Sequence, residues 1–484
     1  GATKRLFGRL SDCSSRFPIL TLMGNQLHLV VASILLGIGL ITTQASPLQT
    51  LPLSQQEPSQ RQPSEVELII GESIGTQPRF AVPDFISLTD DPETTEVAQM
   101  LAEVLWNDLD FEREFYMIPR DTYNTIPAAR SMTDIPFDRW REIGADGVVI
   151  GTVQRTNEMV QVQVRLFNVR GQESVFSRQY TGSARNPRLY AHTIADEIHQ
   201  NQRGLRGVAR TKLTFVSDRN RETLIGPVDN RTIKEVYIAD YDGRNPQRVT
   251  VNRSLNITPS WSADGRAIAY TSYDRGFSDV FVSFIYEGRL ETPAAGNAKE
   301  QNWLPAWSPN GRQIAFTSNR DGNPELYIVD IDGSNLTRLT HNPAIDTSPT
   351  WSPTGNQLAF TSDRSGRPQI YVISVDGTGI RRMTFESYCD RPTWSPSPFN
   401  EIAYSSRTGP GHDIKVLELA SGVVRQLTFG IGTNESPAYA PNGRHLAFTS
   451  TRSGEKQIFT MARDGRNLNR VTRVGNNEMS HWSY

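Results

Sequence analysis

The chain has 484 residues, more than one ordinary hydrophobic core supports, so at least two domains and a tail are expected. Its 50 Lys and Arg against 52 Asp and Glu leave a formal charge of -2, with no long basic run. That excludes the electrostatic footprint of a nucleic-acid binder, and no nucleic acid is expected as partner.

Lys4, Arg5, Arg9 and Arg16 precede an apolar run from Leu27 to Ile41, and Thr43, Gln44 and Ala45 follow it. Charged, apolar and small residues in that order make a secretory signal. The run of about 15 residues is short of the roughly 17 to 25 that a spanning helix needs. Residues 1–45 are therefore expected to be a signal peptide removed near Ala45, with an uncleaved anchor as the alternative, and the mature chain is not expected to be integral to the membrane. Cleavage would leave Cys389 as the single thiol, which cannot form an intrachain disulfide. Residues 46–64, SPLQTLPLSQQEPSQRQPS, have almost nothing to bury and are expected to form a flexible tether.

Residues 65–205 alternate strand and helix patterns, which predicts a small α/β domain. Strands are expected at Val66 to Ile70, Phe80 to Phe85 and Phe115 to Ile118. Asp91-Pro92 supplies an N-cap and a first-turn proline for a helix carrying Val97, Met100, Leu101, Val104 and Leu105. A short helix follows around Trp140, then three strands at Asp146 to Arg155, Val160 to Val169 and Glu173 to Thr181. The second alternates, with Val160, Val162, Val164 and Leu166 on one face, and a helix from Pro187 to about Gln202 closes the unit.

Beyond Val208 the helical period gives way to an internal repeat. Copies begin at PSWSADGRAIAYTS, PAWSPNGRQIAFTS, PTWSPTGNQLAFTS, PTWSPSPFNEIAYSS and PAYAPNGRHLAFTS. Their aromatic anchors Trp261, Trp307, Trp351, Trp394 and Tyr439 stand 46, 44, 43 and 45 residues apart, the length of a four-stranded propeller blade. Gly265, Gly311, Gly355 and Gly443 suit one hairpin, and Asp-Gly pairs such as Asp242-Gly243 mark another. The strand after the first hairpin, such as Ile314 to Ser318, reads as alternating apolar and polar. The I-A-F strand occurs six times, at Phe215, Tyr270, Phe316, Phe360, Tyr404 and Phe448, whereas the P-x-W strand starts late and reappears at Ser480 to Ser483. Residues 208–484 are thus expected to form a six-bladed β-propeller, mainly β. The C-terminal strand with Trp482 would complete the sheet begun by Phe215 and remove an exposed edge.

Five residues before each anchor aromatic stands Asn256, Asn302, Asp346, Cys389, Asn434 or Asn477, ringing one mouth of the channel. The bland reading is that each caps its own turn. The functional reading is a polar docking face formed with Trp303, Thr347, Asp390, Arg391 and Glu435, in which Trp303 is the leading anchor because it is a loop tryptophan outside the repeat. The stretch from Glu291 to Gln301 lacks the R-L-T motif of other blades and reads as a longer loop. The recurring Arg320, Arg364 and Arg452 are expected to cap hairpins on the opposite rim. No G-x-S-x-G, H-E-x-x-H or C-x-x-C is present, and His192, His199, His341, His412, His445 and His481 are scattered, so no catalytic residue, metal or cofactor is expected. Two other readings stay open: a carbohydrate- or peptidoglycan-binding propeller, and a metal-dependent propeller lyase.

The leader, the phrases GLRGVARTKLTFVSD and ADYDGRNPQRVT, the repeated P-x-W-S-P-x-G-x-x-I-A-F-T-S and the terminal HWSY together resemble the TolB family of the Tol-Pal system. The resemblance covers nearly everything after residue 64. It implies a non-catalytic periplasmic adaptor whose propeller mouth binds the lipoprotein Pal and whose N-terminal tail binds TolA, supporting outer-membrane integrity and constriction during division. It favours the mouth with the Asp346-Thr347 pair for Pal. The segment before Glu65 is longer and richer in Pro and Gln than in the family, which sets the TolA contact apart.

Overall fold

The computed structural model describes residues 76–224 and 231–483. The expected leader, the tether and the strand at Val66 to Ile70 lie outside the described residues.

Helix α1 (Pro92–Glu112) starts where its cap chemistry dictates: the Asp91 carboxylate accepts from the Thr94 amide at 2.7 Å. Hydrogen bonds from the Thr89 hydroxyl and from Thr94 hold the Asp91 pKa down at about 2. Helices α2 (Phe137–Glu142) and α3 (Arg188–Arg203) follow. They flank a six-stranded sheet in which Tyr116–Met117, Arg79–Ala81 and Gly147–Thr156 pair in parallel. Met159–Asn168 and Glu173–Ser183 then add antiparallel. Val160, Val162, Val164 and Leu166 are all buried against α1 and α3. The opposite face is covered by Trp140, Tyr123 and the irregular segment around α2. The strand expected over Phe80 to Phe85 is split into Arg79–Ala81 and Ile86–Ser87, because Pro83 lies between them and offers no N–H to a ladder.

Six four-stranded antiparallel sheets make the propeller. Blade 1 is closed by the chain end: Asn477–Trp482 pairs with Lys212–Ser217 in the register Asn477 to Ser217 and Trp482 to Leu213. The Trp482 indole N–H donates to Thr211 Oγ1 at 2.6 Å, and the Lys212 amide donates to Ser483 Oγ at 2.8 Å. Trp482 and Phe215 are buried in one core. Blades 2 to 6 span 256–291, 302–338, 346–382, 389–426 and 434–470. Their second strands are not half-exposed as alternation suggested; Ala267–Ser272 is buried at all six positions. A blade is packed between two neighbours, so both faces of its inner strands leave water, and small Ala, Ser and Thr fill the close side. The Asp-Gly hairpins serve that closeness too: a Cβ on Gly243 (φ 84°) would stand 2.2 Å from the Val471 carbonyl oxygen of the next blade.

The α/β unit packs on blades 1 and 6 through a shared core and a buried ion cluster. Asp108 of α1 accepts from the Tyr241 hydroxyl at 2.7 Å and pairs with His192 Nδ1 at 2.7 Å. Arg188 reaches Asp242 at 2.5 Å, and Arg444 reaches Glu112 at 2.7 Å. Phe111 stacks on His445. His192 and His199 of α3 are both buried. Burial alone would lower the His192 pKa, but the hydrogen bond to Asp108 and the Asp240 carboxylate 3.8 Å away outweigh it and place it at about 9.

Two outcomes follow from closure and from this cluster. Trp482→Ala should cost about 3–5 kcal/mol in urea unfolding, and deletion of residues 479–484 should lower the melting temperature of the whole propeller. Melting equal to that of the intact chain would refute the closure. The His192 pair has its full effect below the ordinary histidine value of about 6.5, and that stability is lost as pH rises through about 9. Urea midpoints should therefore fall over this alkaline window in the native chain and change less in His192→Gln; an unchanged slope would assign the titration to another group.

Candidate protein-docking mouth

The ring read from the sequence sits at the first residue of each innermost strand, and all six of its side chains are fully buried. Asn302 shows the arrangement. Its Nδ2 donates to Asp279 Oδ1 of the preceding blade at 2.8 Å and to the Ala294 carbonyl at 2.7 Å. Its Oδ1 accepts from Arg320 Nη2 at 2.8 Å, while the guanidinium lies over the Phe316 and Tyr327 rings.

Asn434 repeats this with Asp413 at 3.1 Å and Arg452 at 2.9 Å, and Asn477 with Gln457 at 3.0 Å and Arg219 at 3.2 Å. Asn256 donates to Glu235 of blade 1 at 2.9 Å. Asp346 accepts from Arg364 at 2.6 Å, and burial raises its pKa. At Cys389, whose thiol burial pushes up to about 11, the polar role passes to Glu386, which accepts from Tyr404, Ser406 and Lys415. Asn256, Asn302, Asn434 and Asn477 are staples between neighbouring blades, whereas Asp346 is held by the arginine of its own blade. Buried as they are, the five Asx residues cannot themselves touch a partner; that contact is left to their neighbours.

The R-x-G arginines stand on this same rim, not the opposite one. The I-A-F strand runs antiparallel to the innermost strand, so its end meets the neighbour's beginning.

Above the staples lies the accessible mouth. Trp303, Thr347, Asp390, Arg391 and Glu435, at the second or third position of their strands, are all half-buried. Asp390 accepts from Thr361 Oγ1 at 2.9 Å, and Glu435 pairs with His412 at 3.0 Å. Thr347 accepts a long bond from Thr317 at 3.4 Å. Around them the loops expose apolar side chains that sequence reasoning missed: Phe385 at 76%, Phe429 at 72%, and Val251, Ile345, Ile431 and Val474. Val251, Phe385 and Phe429 directly follow Thr250, Thr384 and Thr428. The available signal was an apolar residue just past the R-L-T threonine, where neither strand nor hairpin calls for one. Apolar side chains clustered on a polar rim mark a surface made to be covered.

The α/β unit contacts Asp240, Asp242, Arg444 and His445, all at the far ends of their strands, so it leaves this mouth uncovered. Among the described residues no group of three or more His, Cys, Asp or Glu is arranged to hold a metal ion. Among them, too, no helix is long and apolar enough to cross a membrane.

The family profile of the TolB beta propeller domain matches residues 200–397 and 387–484, and that of the TolB amino-terminal domain matches residues 66–175. The chain belongs to the TolB family. The Tol-Pal system protein TolB of Ruegeria sp. is 33% identical over 318 residues, 66% of this chain and 67% of that protein. The Tol-Pal system protein TolB of Desulfosudis oleivorans is 33% identical over 266 residues, and the match spans 54% of this chain and 57% of that relative's length. A crystal structure of TolB from Acinetobacter baumannii superposes with a TM-score of 0.71 at 25% identity, covering 86% of this chain and 98% of that one. This TolB-family chain thus combines a six-bladed propeller with an amino-terminal α/β domain.

If the Asx ring is a set of staples, Asn434→Ala should lower stability by about 1–3 kcal/mol, since Asp413 and Arg452 lose a buried partner. Urea denaturation measures this. A cost near zero would show that the ring does not hold the blades together.

Proposed function

We propose that the chain is a non-catalytic periplasmic adaptor of the Tol-Pal system that docks a Pal-like lipoprotein on the propeller mouth opposite the α/β domain. The observation that carries this is the uncovered mouth itself, where exposed Phe385 and Phe429 surround half-buried Trp303, Thr347, Asp390, Arg391 and Glu435. Asn256, Asn302, Asp346, Asn434 and Asn477 serve the same site from beneath by fixing the loops that present these groups. A rim whose loops are held by buried hydrogen bonds and that presents a few aromatic anchors suits a protein partner, because little conformational entropy is lost when it is covered.

The resemblance to TolB supplies the second half of the reading. The N-terminal tail would engage a TolA-like protein, so that a propeller held at one partner offers a peptide to another and links the two membranes during constriction. The two contacts would then be separable: truncation of residues before Glu65 should abolish the TolA-like contact and leave the mouth's partner bound.

Trp303→Ala and Phe385→Ala should each weaken binding of the soluble domain of a Pal-like lipoprotein at least about tenfold, with stability changed by no more than about 1 kcal/mol. Calorimetric titration measures both affinities. Native affinity in both variants would move the docking site off this mouth. Retention of the chain on cell-wall sacculi without any protein would favour the carbohydrate-binding reading instead.

A further inference from the structure

The innermost strands line a central cavity of about 120 Å3, with Ser348, Thr350, Thr393 and Ser436 among its hydroxyl-bearing walls. Each strand bulges at its third residue, and that residue takes a left-handed backbone: Thr258, Leu304, Ser348, Arg391, Ser436 and Met479 have φ between 52° and 57°. Bulges re-aim side chains, and these six all line the cavity. Five are neutral; Arg391 is not.

The Arg391 guanidinium makes no hydrogen bond and no ion pair among the described residues, although its backbone N–H donates to Asp390 Oδ1 at 2.7 Å. The carboxylates around the mouth are committed elsewhere. Asp390 is held by Thr361, Glu435 by His412, Glu386 by Lys415, and Glu478 by Lys234 and Lys456. The other titratable group of the cavity wall, His481, accepts from the Trp261 amide through Nδ1 at 3.2 Å, and burial lowers its pKa to about 4. At neutral pH Arg391 is therefore the charged side chain of the cavity wall, its guanidinium free of ion pairs among the described residues and set among hydroxyl donors. By contrast, the staple arginines below it each have an Asx partner or an aromatic face.

We propose that Arg391 is a specificity-determining residue that receives a carboxylate side chain inserted into the channel by the protein docked on this mouth. This rests on the docking reading above. A volume on the order of four waters admits the tip of one side chain and not a folded element. A guanidinium offers paired N–H donors that fit a carboxylate, and the pairing gains strength as the docked partner excludes water. Nothing in the fold needs the side chain, so its replacement leaves the propeller intact.

The test uses the full chain and the soluble domain of a Pal-like lipoprotein, titrated at two salt concentrations. Arg391→Met should lower affinity roughly tenfold or more and flatten the salt dependence, with an unchanged melting temperature, while Arg391→Lys should retain most of the binding. One Asp→Asn or Glu→Gln change in the partner should reproduce the loss, and combining it with Arg391→Met should add nothing further. If Arg391→Met binds natively while Trp303→Ala does not, the docking site stands and the inserted carboxylate is refuted. If neither variant weakens binding, the docking reading fails as well. Inhibition by free acetate that depends on Arg391, with no acidic residue of the partner required, would also overturn the proposal.

Discussion

The molecule depends on the pairing of its last strand with one that begins 265 residues earlier, Asn477 against Lys212–Ser217. Without it, blade 1 would lack its innermost strand, Lys212–Ser217 would be left as an open edge, and the channel would have five walls. The Trp482 indole, bonded to Thr211 and packed with Phe215, anchors that pairing on the apolar side. Ser483 and the Lys212 amide secure the polar side. Because the ring closes, the six strand beginnings lie at fixed spacings around one axis, which is what makes a mouth into a surface that can recognise anything.

That surface is organised in two layers with different work. The lower layer is polar and buried, with Asn, Asp and Arg bonded to one another within and between blades. Such groups stabilise only when every donor and acceptor is matched. The upper layer is the reverse: exposed Phe and Val, a half-buried tryptophan, and an arginine side chain without a partner among the described residues. The bulge between the layers carries strained, left-handed residues at all six positions, a cost borne by the structure where side chains are turned toward the channel. The α/β unit sits on the far ends of the strands, held by Asp108, Tyr241 and His192, and leaves the upper layer in water.

The blades were legible because each anchor aromatic recurs at a nearly constant interval and most hairpins carry a glycine, the turn before Glu401 excepted. The α/β elements were legible wherever period or cap chemistry spoke, as at Asp91 and along Val160 to Leu166. Pro83 broke a strand that apolarity alone would have drawn through it. The Asx ring was visible as a spacing, but its burial was not, since an asparagine facing water and one facing a neighbouring blade read alike. The arginines were placed on the wrong rim because a one-dimensional repeat does not say which strand ends meet. Phe385 and Phe429 resembled ordinary loop residues until the fold left them uncovered. The placement of the α/β unit rests on pairs such as Asp108 with Tyr241, which no local pattern announces.

Amide hydrogen exchange along the closing strand tests the ring most directly. The account requires Asn477 to Trp482 to exchange as slowly as the central strand Gln313–Ser318, through unfolding of the whole propeller. Exchange within seconds, as for a frayed terminus, would mean an open ring and would remove the basis for a preformed mouth.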